Sequence, residues 1–229
     1  MRRCMLCGAA TLAMLVTPVF ADLVSTYAVS GHNTNGSSYT GKITFTPAGQ
    51  VYRVDYCCDK QNGFAIEYQN FLAIAEVGGD GGNLVIYQRA GNAWIGVFSQ
   101  YGDDPLGAEV LYNGSAPGLP DPGRASSGNA AGKYRISGTN PNGSAYSGEV
   151  EVTRSGTFFD VDRTIGDDET TGTAIVFNGA IAMNVGKEDG RAPLGVLGLF
   201  VPEGNGFIGV WAKAGSQQLG AERWVRESK

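Results

Sequence analysis

Residues 38–46 read Ser38-Tyr39-Thr40-Gly41-Lys42-Ile43-Thr44-Phe45-Thr46. In an extended chain Tyr39, Gly41, Ile43 and Phe45 fall on one face, while Ser38, Thr40, Lys42, Thr44 and Thr46 fall on the other. A period of two with one apolar and one polar side marks a strand whose one face is buried and whose other face is wet. The pattern returns 107 positions later, where Tyr146, Gly148, Val150 and Val152 alternate with Ser147, Glu149 and Glu151.

That return is part of an internal repeat. At the same offset Tyr27, Gly31, Asn33, Asn35, Gly36 and Ser37 meet Tyr134, Gly138, Asn140, Asn142, Gly143 and Ser144. Further along the offset is 113, and Gly91, Asn92, Ile95, Gly96 and Val97 meet Gly204, Asn205, Ile208, Gly209 and Val210. Leu106-Gly107-Ala108-Glu109 likewise meets Leu219-Gly220-Ala221-Glu222. The six additional residues of the second copy are expected around 186–202. Between the copies, residues 114–133 are rich in Pro, Gly, Ser and Ala without apolar periodicity, the composition of a linker. The expected organisation is therefore a first domain over 22–113, a linker over 114–133 and a second domain over 134–229.

Strand-like runs occur near 24–30, 38–46, 50–56, 63–68, 71–77, 83–88, 93–99 and 106–112, separated by Gly, Asn and Asp turns, and no segment has the pattern of an amphipathic helix. Eight successive short strands without long crossovers predict an all-β antiparallel meander. Closure into an eight-stranded up-and-down barrel would remove the exposed edges. A two-sheet sandwich is the alternative. Glycine, at 35 of 229 residues, lacks the every-third spacing of collagen and suits tight turns and bends in small barrels.

Residues 1–21 have Arg2 and Arg3, then an apolar run through Leu12, Ala13, Met14, Leu15 and Val16, and small residues at Val19 and Ala21. This is the form of a secretory signal, so the mature protein is expected in the periplasm or outside the cell, without membrane insertion. Removing the signal's two arginines makes the formal charge of −5 more negative. An acidic chain with the single histidine His32 is a poor nucleic-acid binder, because phosphates are neutralised by clustered Lys and Arg.

The chemistry-bearing motifs are few. Cys57 and Cys58 are adjacent and cannot staple distant segments; they remain thiols or form a strained vicinal disulfide. Asn-Gly-Ser at 35–37 and 142–144 is formally a glycan acceptor, but Asn-Gly is also the preferred hairpin pair, which is the expected reading. Gly204-Asn205-Gly206-Phe207-Ile208-Gly209 spells GxGxxG but enters a strand rather than a helix, so a turn is expected instead of a dinucleotide site. His32 has no nearby ligand partner, and no cofactor is expected. The acidic runs Asp103-Asp104 and Asp167-Asp168-Glu169 are not matched between copies and read as solvated loops. Neither a Ser-His-Asp arrangement nor a GxSxG elbow is present, so the chain is expected not to be an enzyme.

Both copies keep an aromatic strand followed by a glutamate strand. Trp94 and Phe98 alternate with Gly96, Phe207 and Trp211 alternate with Gly209, and Glu109 and Glu222 follow. If these residues line a lumen, aromatics around one carboxylate form a small-ligand pocket. Trp94, Phe98, Glu109, Phe207, Trp211 and Glu222 are the candidate binding residues.

The twice-repeated order Tyr-x-Val/Ile-Ser-Gly, Asn-Gly-Ser-x-Tyr-x-Gly-x-Val/Ile, Ile-Gly-Val-Phe/Trp and Leu-Gly-Ala-Glu resembles small exported bacterial proteins labelled fibronectin-binding-protein-like. The resemblance covers both repeats and not the linker, and it implies binding to an extracellular surface component. Each unit is also similar in architecture to avidin and lipocalin barrels, without their ligand-site motifs. The expected function is a non-enzymatic exported binding protein engaging a small ligand or an extracellular protein. The alternatives are a secreted inhibitor or structural protein acting through its loops and, third, an enzyme acting through carboxylates.

Overall fold

The computed structural model describes residues 23, 26–57, 62–77, 83–100, 105–125, 128–186 and 195–227. The signal segment, Cys58, Asp103, Asp104 and residues 187–194 lie outside them, and of Cys57 only the backbone is described. The chain forms two closed eight-stranded antiparallel meander barrels, which decides between barrel and sandwich.

Barrel 1 contains β1 (Thr26–His32), β2 (Ser38–Ala48), β3 (Val51–Cys57), β4 (Asn62–Tyr68), β5 (Phe71–Val77), β6 (Asn83–Ala90), β7 (Ala93–Gln100) and β8 (Gly107–Tyr112). A four-residue helix, α1 (Pro122–Ala125), lies between the barrels. Barrel 2 contains β9 (Gly132–Thr139), β10 (Ala145–Ser155), β11 (Phe158–Ile165), β12 (Asp168–Phe177), β13 (Ala180–Gly186), β14 (Val196–Glu203), β15 (Gly206–Lys213) and β16 (Gly220–Arg226). Each barrel closes by pairing its first and last strands, with Gly31 opposite Glu109 and Gly138 opposite Glu222.

Turn chemistry sets the two ends of a barrel apart. At one end β2–β3, β4–β5 and β6–β7 are joined by tight turns carrying positive φ at Gly49, Gln69 and Gly91. At the other end the connections are longer, beginning with the Asn-x-Asn-Gly-Ser hairpins. There the Asn35 side chain accepts from the Ser37 amide at 2.9 Å and Asn142 accepts from Ser144 at 3.0 Å, so turn formation accounts for both motifs. The GxGxxG segment likewise makes the β14–β15 turn, with Gly204 at φ 57.

Strand pairing relocates the additional residues of the second copy. Tyr52 pairs with Ala65 where Phe159 pairs with Ala174, so the offset rises from 107 to 109 between β3 and β4. Two of the six residues lengthen the β11–β12 hairpin, which stays paired as far as Ile165 and Asp168. The other four fall between β13 and β14, within the expected region.

The alternating strands and the continuously apolar ones have different surroundings. Strand β2 has an exposed polar face, whereas β4 and β5 are buried on nearly every described residue and β6 is buried over residues 84–87. Their inward residues, such as Ala65, Leu72, Ile74 and Val85, fill the lumen. Their outward residues, including Ile66, Ala73, Ala75 and Ile86, pack against Ile175, Ala182, Leu197 and Leu199 of barrel 2. A strand buried on both faces loses the wet side that would give it alternation.

Candidate functional site

The lumen of barrel 1 is apolar at its tight-turn end and polar at its long-loop end. Tyr27, Phe45 and Tyr52 meet edge to face at the first, with centroids 6.0 and 6.3 Å apart. Trp94 belongs to this layer, buried under the Arg89 guanidinium at 4.6 Å. Arg89 also lies 3.6 Å from buried Glu67, whose carboxyl is pushed up to about 7 by burial against the opposing pull of Arg89.

At the long-loop end Glu109 is only 3% exposed. Its Oε2 accepts from the Tyr39 hydroxyl at 2.6 Å, and its Oε1 accepts from the Tyr87 hydroxyl. Phe98 stands edge-on to Tyr39 at 6.3 Å. The local sequence makes room for these rings through glycine: a Cβ on Gly31 would enter the Tyr39 ring, on Gly96 the Tyr87 ring and on Gly107 the Phe98 ring. The repeated glycines thus let aromatic side chains lie across neighbouring strands, a role beyond allowing bends.

A second carboxylate shares this end. Glu76 accepts from the Asn83 amide at 2.7 Å and is 4% exposed. Burial, and then the negative charge of Glu109, push Glu76 up to about 7, while the hydrogen bond from Asn83 and the nearby Tyr56 hydroxyl pull the other way. The buried Tyr56 hydroxyl faces Glu76 without a well-formed hydrogen bond. Burial also pushes Glu109 up, opposed by its two tyrosine donors. Tyr39 and Tyr87 are held far above the ordinary phenol range, first by burial and next by Glu109, so they act as protonated donors. Among the described residues, no cation pairs with Glu76 or Glu109.

Barrel 2 preserves the centre of this arrangement and changes its surroundings. Glu222 is 2% exposed, and its Oε2 accepts from Tyr146 at 2.5 Å, as Glu109 does from Tyr39. Trp211 stands edge-on to Tyr146 at 6.2 Å, the counterpart of Phe98 and Tyr39. The donor to the other oxygen has moved: Trp224 Nε1 reaches Glu222 Oε1 at 2.5 Å, and Phe200 occupies the place of Tyr87. Arg163 replaces Tyr56 and forms a buried ion pair with Glu222, its guanidinium 5.8 Å from the Tyr146 ring centre. Val185 replaces Glu76. The substitutions are coupled: where the guanidinium enters, the second carboxylate leaves.

Of the six sequence-predicted residues, the structure brings Phe98 together with Glu109 and Trp211 together with Glu222. Trp94 and Phe207 lie at the tight-turn ends; Phe207 packs on Tyr134 at 5.8 Å. Alternation places Trp94 and Phe98 on one face, but four residues of strand carry them to different layers of the lumen. Tyr39 and Tyr146 are legible as repeated inward tyrosines, whereas Tyr56, Glu76, Tyr87, Arg163 and Trp224 occupy positions where the copies differ.

Elsewhere Asp167 and Asp168 form an exposed hairpin, as expected of a solvated run. A cleft of about 450 Å³ between the barrels is lined by Tyr52, Arg53, Asp55, Phe64, Ser216 and Gln217, apart from the buried carboxylates. The described residues contain no group of three or more His, Cys, Asp and Glu side chains placed to hold a metal, and no helix among them is long and apolar enough to cross a membrane.

No family model, curated protein or solved structure matches the chain.

Proposed function

We propose that this chain is a non-enzymatic binding protein that works outside the cytoplasm after loss of residues 1–21 and holds a small ligand in a barrel lumen. The observation that carries this reading is a buried carboxylate enclosed by aromatic rings at the long-loop end of each barrel. Filling a barrel with apolar side chains would be less costly than desolvating a carboxylate, so a polar cluster kept at a lumen mouth favours recognition over plain support. Binding rather than turnover fits the bonding, because both oxygens of Glu109 and of Glu222 already accept from fixed donors.

Native mass spectrometry of the protein purified from its own host tests the reading. Extra mass that leaves on denaturation, and that is absent from a Glu109→Gln, Glu222→Gln double variant, is the expected result. A bare chain mass, together with no small-molecule binding in solution, would turn the assignment toward the loops as the contact surface for an extracellular protein.

A further inference from the structure

We infer that the long-loop end of barrel 1 binds an organic cation, an ammonium or guanidinium group, between Glu109 and Glu76 and against the rings of Tyr39, Tyr56 and Phe98. Barrel 2 is the same site closed permanently by its own Arg163. The inference rests on the lumen-binding reading and names the ligand class and the barrel that takes it.

Barrel 2 supplies the internal comparison. There the shared Glu–Tyr pair holds a guanidinium that pairs with Glu222, lies over the Tyr146 ring and reaches the Tyr146 hydroxyl at 3.5 Å. An aromatic face beside a carboxylate is a good host for a soft cation, which is attracted by the ring quadrupole and by the charge together. Barrel 1 keeps the pair as Glu109 and Tyr39, lacks the arginine and gains a second carboxylate. Each oxygen of Glu109 uses one acceptor site on a tyrosine and retains another.

The Tyr56 hydroxyl, buried without a well-formed bond, is a further polar group to which a ligand donor can bind. The donor set of two carboxylates and phenol rings favours an organic cation over a metal ion, which would seek more oxygen or nitrogen ligands.

Calorimetric titration of the mature full-length protein with choline and with methylguanidinium, against the neutral isostere 3,3-dimethyl-1-butanol, tests the inference. One site per chain is expected for at least one cation, with the neutral compound weaker by about tenfold or more, since the charge-assisted contacts are lost. Glu109→Gln is expected to weaken the cation by about tenfold or more for the same reason. Tyr56→Arg, which gives barrel 1 the cation of barrel 2, is expected to abolish binding while retaining a cooperative thermal transition. Glu76→Gln provides a second route should Tyr56→Arg fail to fold, and weakened binding is expected.

A chain cation could fill the site instead, and Lys60 belongs to a segment outside the described residues. Affinity unchanged in Lys60→Gln supports an external ligand; a rise of about tenfold would mean that Lys60 is the resident cation, and would overturn the inference. Equal binding of the neutral isostere, lost in Glu109→Gln, would overturn the cation assignment and leave lumen binding intact. Two equivalent cation sites per chain would overturn the assignment to barrel 1. Absence of binding by every probe overturns the cation inference, and only a bare chain mass in the native experiment removes the lumen reading with it.

Discussion

A carboxylate removed from water is costly unless hydrogen bonds and a counter-charge replace its hydration. Glu222 has both in Tyr146, Trp224 and Arg163, whereas Glu76 and Glu109 have donors but, among the described residues, no paired cation. The consequence is a pH dependence whose sign follows from the direction of the shifts. With Glu76 pushed up to about 7 in the folded chain, the native state holds its proton more tightly than the unfolded state does. The protein is therefore most stable on this account below the ordinary carboxylate pKa, and loses stability as pH rises from there through about 7. The loss is at most on the order of 3 kcal/mol, since one pKa unit corresponds to about 1.4 kcal/mol. Glu67 acts in the same direction. Urea unfolding at pH 5 and pH 8 should show the decline, and Glu76→Gln should reduce it by raising stability at pH 8. An equally pH-dependent variant would mean that Glu76 does not bear this cost. The sequence makes Glu109 and Glu222 visible because the repeat preserves them. It conceals Glu76, Tyr56 and Arg163, because aligning two copies draws attention to agreement while the asymmetry lies in exchanged residues.

Within the strands, glycine and aromatic ring form a unit. A methyl on Gly96 would enter both the Ile86 carbonyl and the Tyr87 ring, displacing the ring that donates to Glu109. Gly96→Ala is expected to cost about 1–3 kcal/mol, as overpacking of a tight interior does. Gly118→Ala, at an exposed position of the segment between the barrels with nothing within 4 Å of its Cβ site among the described residues, should be neutral within about 0.5 kcal/mol or slightly stabilising through the unfolded chain. Denaturant midpoints of the two variants check the contrast; equal losses would count against the ring-over-glycine account. Strand number and order are readable from turns and period-two runs, and the Asn-Gly-Ser hairpins confirm the turn logic. The role of the continuously apolar runs in β4–β6 is less readable, because their second buried face depends on the other barrel rather than on the local chain. The separation of Trp94 from Phe98 is also a tertiary matter: the same alternating face passes through two layers of one lumen.

At the scale of the whole molecule, the barrels meet as two copies of one surface. Strand β6 packs on β12 while β4 packs on β14, and β5 packs on β14 while β6 packs on β13. Exchanging the copies turns each contact into its partner, the pattern of a two-fold dimer interface carried within one chain. Small residues let the sheets approach at its centre, where Ala73 and Ala75 lie in one apolar cluster with Ala180 and Ala182. Polar ties frame it: the Asn178 amide donates to the Gln88 side chain at 2.7 Å, and the Gln50 amide donates to the Gln217 carbonyl at 2.7 Å. A surface of this kind is expected to hold without the covalent connection. A protease site placed within residues 115–120 and cut should therefore leave one particle of the full mass in sedimentation at micromolar concentration. Adding Ala182→Arg puts an unpaired charge into the apolar contact, a change expected to cost several kcal/mol, and the cut protein should then separate into two halves. Separation of the cut parent protein would show instead that the linker maintains the pairing, and the barrels would then be independent modules on a tether.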